Sequence, residues 1–246
     1  MTRTVAITGV SGGIGSATAV AFHDAGWSVA GVDLVAPPST TPVDAFATAD
    51  LRNPDVGEAL AGFFAGLDGL DALVSAAAVQ GTDAIEATAV LAWDEVLNAN
   101  ARGTFLAMQA AHRHLEASRG AVVNLASVHA LATSTGAAPY AASKGAIVAM
   151  TRAAAVEWAP DVRVNAVLPG AVDTTMLRLG VQRWAPPEGE EAALAALAAR
   201  TPLGRIGRSE EIAEAVLFLA DGLRSSFITG QTLVVDGGAL ARLSTE

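Results

Sequence analysis

A chain of 246 residues, 52% of them hydrophobic, has the length of one large α/β domain and the apolar content of a packed globule, not of a disordered chain. Its formal charge of −10 disfavours nucleic acid and anionic membranes as partners, and the absence of cysteine removes disulfides and cysteine-ligated metals. No apolar run reaches the ~18 residues of a membrane span. The first such run, Val5 to Ile7, leads straight into a glycine turn and leaves no room for a signal peptide, so a cytoplasmic protein is expected.

Thr4 to Thr8 reads as a short apolar strand that enters TGVSGGIG, Thr8 to Gly15. The residues SATAVAFHDAG that follow carry helical spacing and end on Gly26 as a C-cap. Strand, glycine turn and helix together set backbone N–H groups and a helix N-terminus against a pyrophosphate. The spacing is Gly9-x-x-x-Gly13-x-Gly15 rather than Gly-x-Gly-x-x-Gly. A second strand, Ser28 to Val32, ends in Asp33, about the ~20-residue distance at which an acid meets an adenosine ribose. A tight turn that binds nothing is the plain alternative.

Residues 34–45, with three prolines, read as loop, and Ala47 to Leu51 as a short strand that carries Asp50 beside the adenine. Further on, helices are expected at Pro54 to Ala65, Trp93 to Ala117, Tyr140 to Trp158 and Glu210 to Ala220. The intervening strands are Asp71 to Ala76, Val122 to Ala126, Val162 to Val167 and Thr232 to Val235. EGEEAALAALAAR is helical, and 175–200 holds no strand. Strands alternating with helices predict an α/β fold: one Rossmann-type domain over 1–246, a doubly wound parallel sheet of about seven strands with helices on both faces. No repeat or interdomain linker is visible.

Tyr140 is the only tyrosine and Lys144 the only lysine. Four residues apart on a helix, they share a face. An ammonium about 4 Å from a phenolate stabilises it by ~4 kcal/mol at an effective dielectric near 20, enough to draw the tyrosine toward neutral pKa. Ser127, thirteen residues upstream, offers a hydroxyl to hold a substrate oxygen beside it. Fourteen arginines against one lysine reflect a compositional bias, so rarity alone proves nothing, and an ordinary helix-surface pair is the competing explanation.

With these residues, Asn100 in NARG, Pro169-Gly170 with Thr174 four beyond the glycine, and TGQTLVVDGG at Thr229 to Gly238, the chain resembles the short-chain dehydrogenase/reductase family along essentially its whole length. The resemblance implies that Gly9, Ser11, Gly12, Gly13, Ile14 and Gly15 cradle NAD. Asp33 would then hold the adenosine ribose, repelling a 2′-phosphate, and Asp50 and Leu51 the adenine. Ala76, Ala77, Pro169, Gly170, Val172 and Thr174 would complete the cofactor site. Tyr140 would be acid or base, Ser127 would orient the substrate oxygen, Lys144 would bond the nicotinamide ribose and lower the tyrosine pKa, and Asn100 would hold a relay water. One motif departs: Ser75-Ala76-Ala77-Ala78 stands where the family usually has Asn-Asn-Ala-Gly.

His129 reads either as a substrate contact or as an ordinary loop histidine. Met176 and Trp184 fall in the segment, about 175–200, that covers substrate in the family, and an apolar lid is expected there. No histidine has metal-ligand spacing, so no metal is expected. The leading reading is an NAD-dependent secondary-alcohol dehydrogenase or carbonyl reductase acting on a small, cyclic or sugar-like molecule. A 3-oxoacyl thioester reductase is disfavoured by Asp33 and by the lack of a basic patch for an acidic carrier. A silent NAD-sensing scaffold is the reading from another class, and a Rossmann-type methyltransferase is more distant. The resemblance also implies a homotetramer, with the helices from Trp93 and Tyr140 paired across one interface and the C-terminal helix and strand across another.

Overall fold

The computed structural model describes residues 2–182 and 186–242. Seven strands, β1 (Thr4–Thr8), β2 (Ser28–Asp33), β3 (Ala45–Thr48), β4 (Ala72–Ser75), β5 (Ala121–Leu125), β6 (Arg163–Pro169) and β7 (Thr232–Val235), form one sheet. Every pairing is parallel, in the order β3-β2-β1-β4-β5-β6-β7. The chain leaves β1 on one side for β2 and β3, then returns to its other side with β4. That reversal opens a crevice at the carboxyl ends of β1 and β4, where doubly wound sheets take ligands.

The helices are α1 (Gly13–Asp24), α2 (Val56–Ala65), α3 (Val90–Leu97), α4 (Gly103–Ser118), α5 (Ala138–Glu157), α6 (Thr175–Val181), α7 (Glu190–Arg200), α8 (Ser209–Ala220) and α9 (Gly222–Ser225). All five residues of β1 are buried, as a strand covered on both faces requires. Alternation sends Val5 and Ile7 into one core with Ala19 and Phe22 of α1 and Ile212 and Val216 of α8. Ala6 enters the other core, with Leu60 and Phe64 of α2 and Ala107, Ala111 and Leu115 of α4. Residues 34–44 form no helix, in keeping with their prolines.

Several boundaries shift by one to three residues, and three of the differences from expectation bear on the site. β3 is Ala45–Thr48, starting two and ending three residues earlier than read, because its register with β2 pairs Ala45 with Ala30 and Thr48 with Asp33; Asp50 and Leu51 therefore sit in the turn beyond it. β6 runs on to Pro169, where β7 pairs with it. The long helix expected from Trp93 to Ala117 is interrupted: a five-residue π-helical turn, Asn98–Arg102, joins α3 to α4. One extra residue in a helix leaves the apolar pattern looking continuous while it rotates everything beyond, and such turns are frequent at functional sites. Here it carries Asn100. No helix among the described residues is long and apolar enough to cross a membrane.

Candidate active site

The glycine turn between β1 and α1 is built from close backbone approaches. A Cβ on Gly15 would lie 2.0 Å from the Gly9 carbonyl oxygen, and Gly9, at φ 72°, backs onto Ala77 with 2.5 Å between a Cβ and its nitrogen. α1 starts at Gly13 with no side-chain cap and no acid in its first turn, so its first N–H groups and positive dipole end stay open to an anion. The cradle therefore fits a pyrophosphate. Ile14 packs against the core beneath it. A Cβ on Gly13 would lie 3.1 Å from Thr174 Cγ2, which places the start of α6 against the turn from the far end of the sequence.

Asp33 closes the other side of the crevice. Its carboxylate accepts from Ser11 N–H at 2.9 Å and Leu34 N–H at 2.7 Å, and the Ser11 hydroxyl donates to Val35 O at 2.7 Å. A carboxylate offers about four acceptor positions, so two remain for a ribose diol. Asp50 is less free than the sequence suggests. The Arg52 guanidinium grips both its oxygens at 2.9 Å and 3.1 Å and also bonds Glu95 of α3 at 2.8 Å. That grip holds the Asp50 carboxyl below the usual range. Leu51 is buried against Gly103 at the head of α4.

The turn after β4 is secured in an unexpected way. Ala76 N–H bonds Thr8 O at 3.1 Å and Ala77 N–H reaches Thr8 Oγ1 at 3.4 Å. The Asn100 amide then clamps Val79, accepting from its N–H at 2.8 Å and donating to its carbonyl at 2.9 Å, and also donates to Ser143 Oγ on α5 at 3.0 Å. Asn100 thus ties the β4 turn to α5 with its side chain, a role the sequence did not announce. Ser75, where the family has asparagine, is too short to bridge: its hydroxyl and the Oδ1 of Asn124, its register partner on β5, are both buried without a hydrogen bond.

Ser127 follows β5 in extended conformation, its hydroxyl accepting from His129 N–H at 3.2 Å, near enough to the Tyr140 phenol to oppose the rise in its pKa. The Tyr140 ring meets the His129 imidazole edge-on, with centroids 5.5 Å apart. Lys144 shares this helix face, but its ammonium is turned to the Leu125 carbonyl at 2.7 Å and stands 5.4 Å from the Tyr140 ring centre. The expected lowering of the tyrosine is therefore absent here. Burial pushes the Tyr140 phenol up, the Ser127 hydroxyl opposing it, and burial alone brings Lys144 down to about 7. Both shifts have one main cause: burial disfavours the charged form of each group, Lys144 being fully buried and Tyr140 partly so.

Beyond β6, Gly170 presses on Asp236 of the DGG segment, and Val172 is buried and bridged to Gly207. Thr174 caps α6, accepting from Leu177 N–H at 3.2 Å. Met176 is half-buried on the first turn of α6, and Trp184 lies outside the described residues. Helices α6 and α7 are pinned by ions as well as by apolar contact. Arg178 bonds Asp173 at 2.7 Å and reaches Glu190 and Glu191 of α7 at 2.8 Å and 3.1 Å. Exposed pairs add little stability but fix geometry. Arg178→Ala is thus expected to raise KM about 3- to 10-fold while Tm moves by ~2 °C or less, read by steady-state kinetics beside a thermal melt. A Tm loss as large as the kinetic one is small would reverse that assignment. Among the described residues, no three histidine or acidic side chains form a metal cluster.

A family model described as "Enoyl-(Acyl carrier protein) reductase" matches residues 9–239. The chain belongs to the short-chain dehydrogenase/reductase family. It is 35% identical over 96% of both chains to the (2S)-[(R)-hydroxy(phenyl)methyl]succinyl-CoA dehydrogenase subunit BbsD of Thauera aromatica. It is 39% identical to the cyclopentanol dehydrogenase of Comamonas testosteroni over 71% of this chain and 67% of that one. Its fold matches the ligand-free aldohexose dehydrogenase of Thermoplasma acidophilum with a TM-score of 0.92, at 32% identity, over 99% and 96% of the two chains.

Proposed function

We propose that this protein is a cytoplasmic, NAD-dependent oxidoreductase that interconverts a small secondary alcohol and a ketone. The observation that carries the reading is the placement of Ser127 just past the carboxyl end of β5, with Tyr140 and the buried Lys144 one turn apart on α5 and Lys144 bonded to Leu125 at the end of the same strand. When bound, NAD would supply the hydride acceptor. Gly9, Ser11, Gly12, Gly13, Ile14 and Gly15 form its pyrophosphate cradle, Asp33 takes the ribose diol and disfavours a 2′-phosphate, and Val172 and Thr174 flank the nicotinamide end. Ala76, Ala77, Pro169 and Gly170 line the path between, while Leu51 and Asp50 border the adenine.

Tyr140 takes the hydroxyl proton as the alcohol becomes a ketone and returns it in the reverse direction, and Ser127 fixes the reacting oxygen. With the cofactor bound, Lys144 would exchange its Leu125 bond for a ribose hydroxyl, which would bring its charge toward the phenol. Through Ser143, Asn100 holds α5 and so the tyrosine in position. A second reading, reduction of the 3-oxo group of a 3-oxoacyl thioester, draws support from the acyl-carrier description of the matching family model and from the BbsD relative, named for a hydroxylated CoA thioester. Asp33 and the net charge of −10 weigh against it. The exposed apolar residues Val90, Leu91 and Trp93 on α3, Phe105 on α4, Val156 on α5, and Leu223 and Phe227 near the C-terminus support assembly into a homotetramer.

The test is absorbance at the NADH band with NAD or NADP and a panel of secondary alcohols, cyclic diols and sugars, Tyr140→Phe run alongside. Turnover with NAD that falls ~10³-fold in the variant is expected. Preference for NADP would overturn the reading of Asp33. NAD bound without any turnover would favour a sensing scaffold.

A further inference from the structure

We propose that Arg52 is a specificity-determining residue that acts through Asp50: by occupying both oxygens of that carboxylate, it keeps the purine pocket from reading the 6-amino group of the cofactor. The inference rests on the cofactor reading above and deepens it. Ala49 N–H bonds Asp33 O at 2.9 Å, so the turn after β3 starts beside the residue assigned to the adenosine ribose, and Asp50 follows at once. A bare carboxylate there would accept a hydrogen bond from the amino group of adenine and would repel hypoxanthine, which carries a carbonyl oxygen at that position. Arg52 removes that choice. Its backbone N–H and its Nε both donate to Asp50 Oδ1 at 2.9 Å, and Nε and Nη2 donate to Oδ2 at 3.1 Å and 2.9 Å. Together these contacts fill the about four acceptor positions of a carboxylate.

The turn and the guanidinium are both anchored. Nη1 bonds Glu95 of α3 at 2.8 Å, and Arg102, the last residue of the π-helical turn, donates to the Arg52 carbonyl. Leu51 between them is buried against the head of α4, where a Cβ on Gly103 would lie 2.8 Å from its own. To offer a free oxygen to a purine, Asp50 would have to give up a bond in which both partners are charged for one to a neutral amine, which is the weaker of the two. The planar fork of an arginine spans both carboxylate oxygens, whereas an ammonium covers a single point. The same grip holds the Asp50 carboxyl below the usual range, so it stays ionised and paired at neutral pH. Leu51 then remains as an apolar wall, and the purine is selected by shape. The two side chains are 40% and 39% exposed, so either can be replaced without opening the core.

The experiment compares NAD with nicotinamide hypoxanthine dinucleotide in the wild type, Asp50→Ala, Arg52→Ala, Arg52→Lys and the double variant Arg52→Ala/Asp50→Ala. Two ratios are read: that of kcat/KM with a saturating alcohol, and that of the dissociation constants from calorimetric titration, which needs no turnover. Asp50→Ala alone should leave the preference for NAD within about twofold of the wild type. Arg52→Ala should raise it about tenfold, Arg52→Lys by less, and the double variant should return it to the wild-type value. A merely structural Arg52 would weaken both dinucleotides alike and leave the ratio unmoved, which overturns the proposal. So does a tenfold fall of the ratio in Asp50→Ala, since the carboxylate would then be reading the amino group in spite of Arg52. Turnover with both dinucleotides at a ratio indifferent to Arg52 ends the specificity role and leaves the dehydrogenase reading standing. The expected dissociation constants without oxidation of any alcohol sustain the role and sink the dehydrogenase reading; failure of both dinucleotides to bind overturns the two together.

Discussion

Lys144→Met is expected to raise the melting temperature of the cofactor-free protein at pH 6 by about 3–8 °C while cutting kcat/KM by ~10³-fold or more. The lysine is 2% exposed, and its single hydrogen-bond partner is the Leu125 carbonyl. Among the described residues no carboxylate answers its charge. Its folded pKa, about 7, lies below the ordinary 10.5, so between those values the unfolded chain binds more protons and stability rises with pH. Below about pH 7 the folded state must hold a buried, unpaired ammonium, and the full penalty applies. Methionine matches the volume without the charge, at the cost of about 1–3 kcal/mol for an unpaired carbonyl. The variant's advantage should be largest at pH 6 and shrink as pH climbs toward 10, measured as Tm against pH for both proteins. A variant less stable at every pH would mean that the bond to Leu125 outweighs the desolvation. The stability lost to Lys144 marks it as a residue retained for function.

Gly15→Ala should unsettle the fold itself. The new methyl would sit 2.0 Å from the Gly9 oxygen, 2.8 Å from its carbonyl carbon and 3.0 Å from Val10 Cα, all backbone that no rotamer change can move aside. To admit it, α1 must lift from the sheet, and its buried Ala19 and Phe22 anchor the core shared with α8. A cost of about 3 kcal/mol or more follows, near 6–12 °C in Tm for a chain of this length. Dinucleotide binding should vanish with it. Gly12→Ala is the matched control, since its methyl would meet only the Gly9 oxygen, at 3.3 Å, and its Tm should drop by less than a third as much. Equal losses in the two variants would show that the turn is soft and the close approach unimportant.

Much of this architecture is readable from the chain. Alternation of apolar strands and helices is enough for the parallel sheet, since each strand buried on both faces must be apolar throughout. The spacing of Ser127, Tyr140 and Lys144 places them together because the strand end and the helix are both regular. What escapes is whatever depends on direction or on distant partners. Spacing puts Lys144 on the face of Tyr140 but does not say that its ammonium turns to Leu125. Nor does it reveal that Arg52 claims Asp50 and reaches across to Glu95, or that Arg178 joins α6 to α7. The π-helical turn at Asn98–Arg102 is hidden for a different reason: its two asparagines weaken helix propensity without saying that a residue is inserted, and it is the packing of Asn100 against Val79 and Ser143 that favours the insertion.

The strand order has a consequence for how the chain is made. From β5 onward each new strand pairs with the one synthesised before it, so this half of the sheet can grow outward in the order of translation. Until β7 arrives, the edge of β6 stands open, a row of unpaired amides and carbonyls flanked by Val164, Ala166 and Leu168. A chain halted between residues 170 and 231 should therefore gather into aggregates through that edge, whereas the last dozen residues of the fold act as its seal.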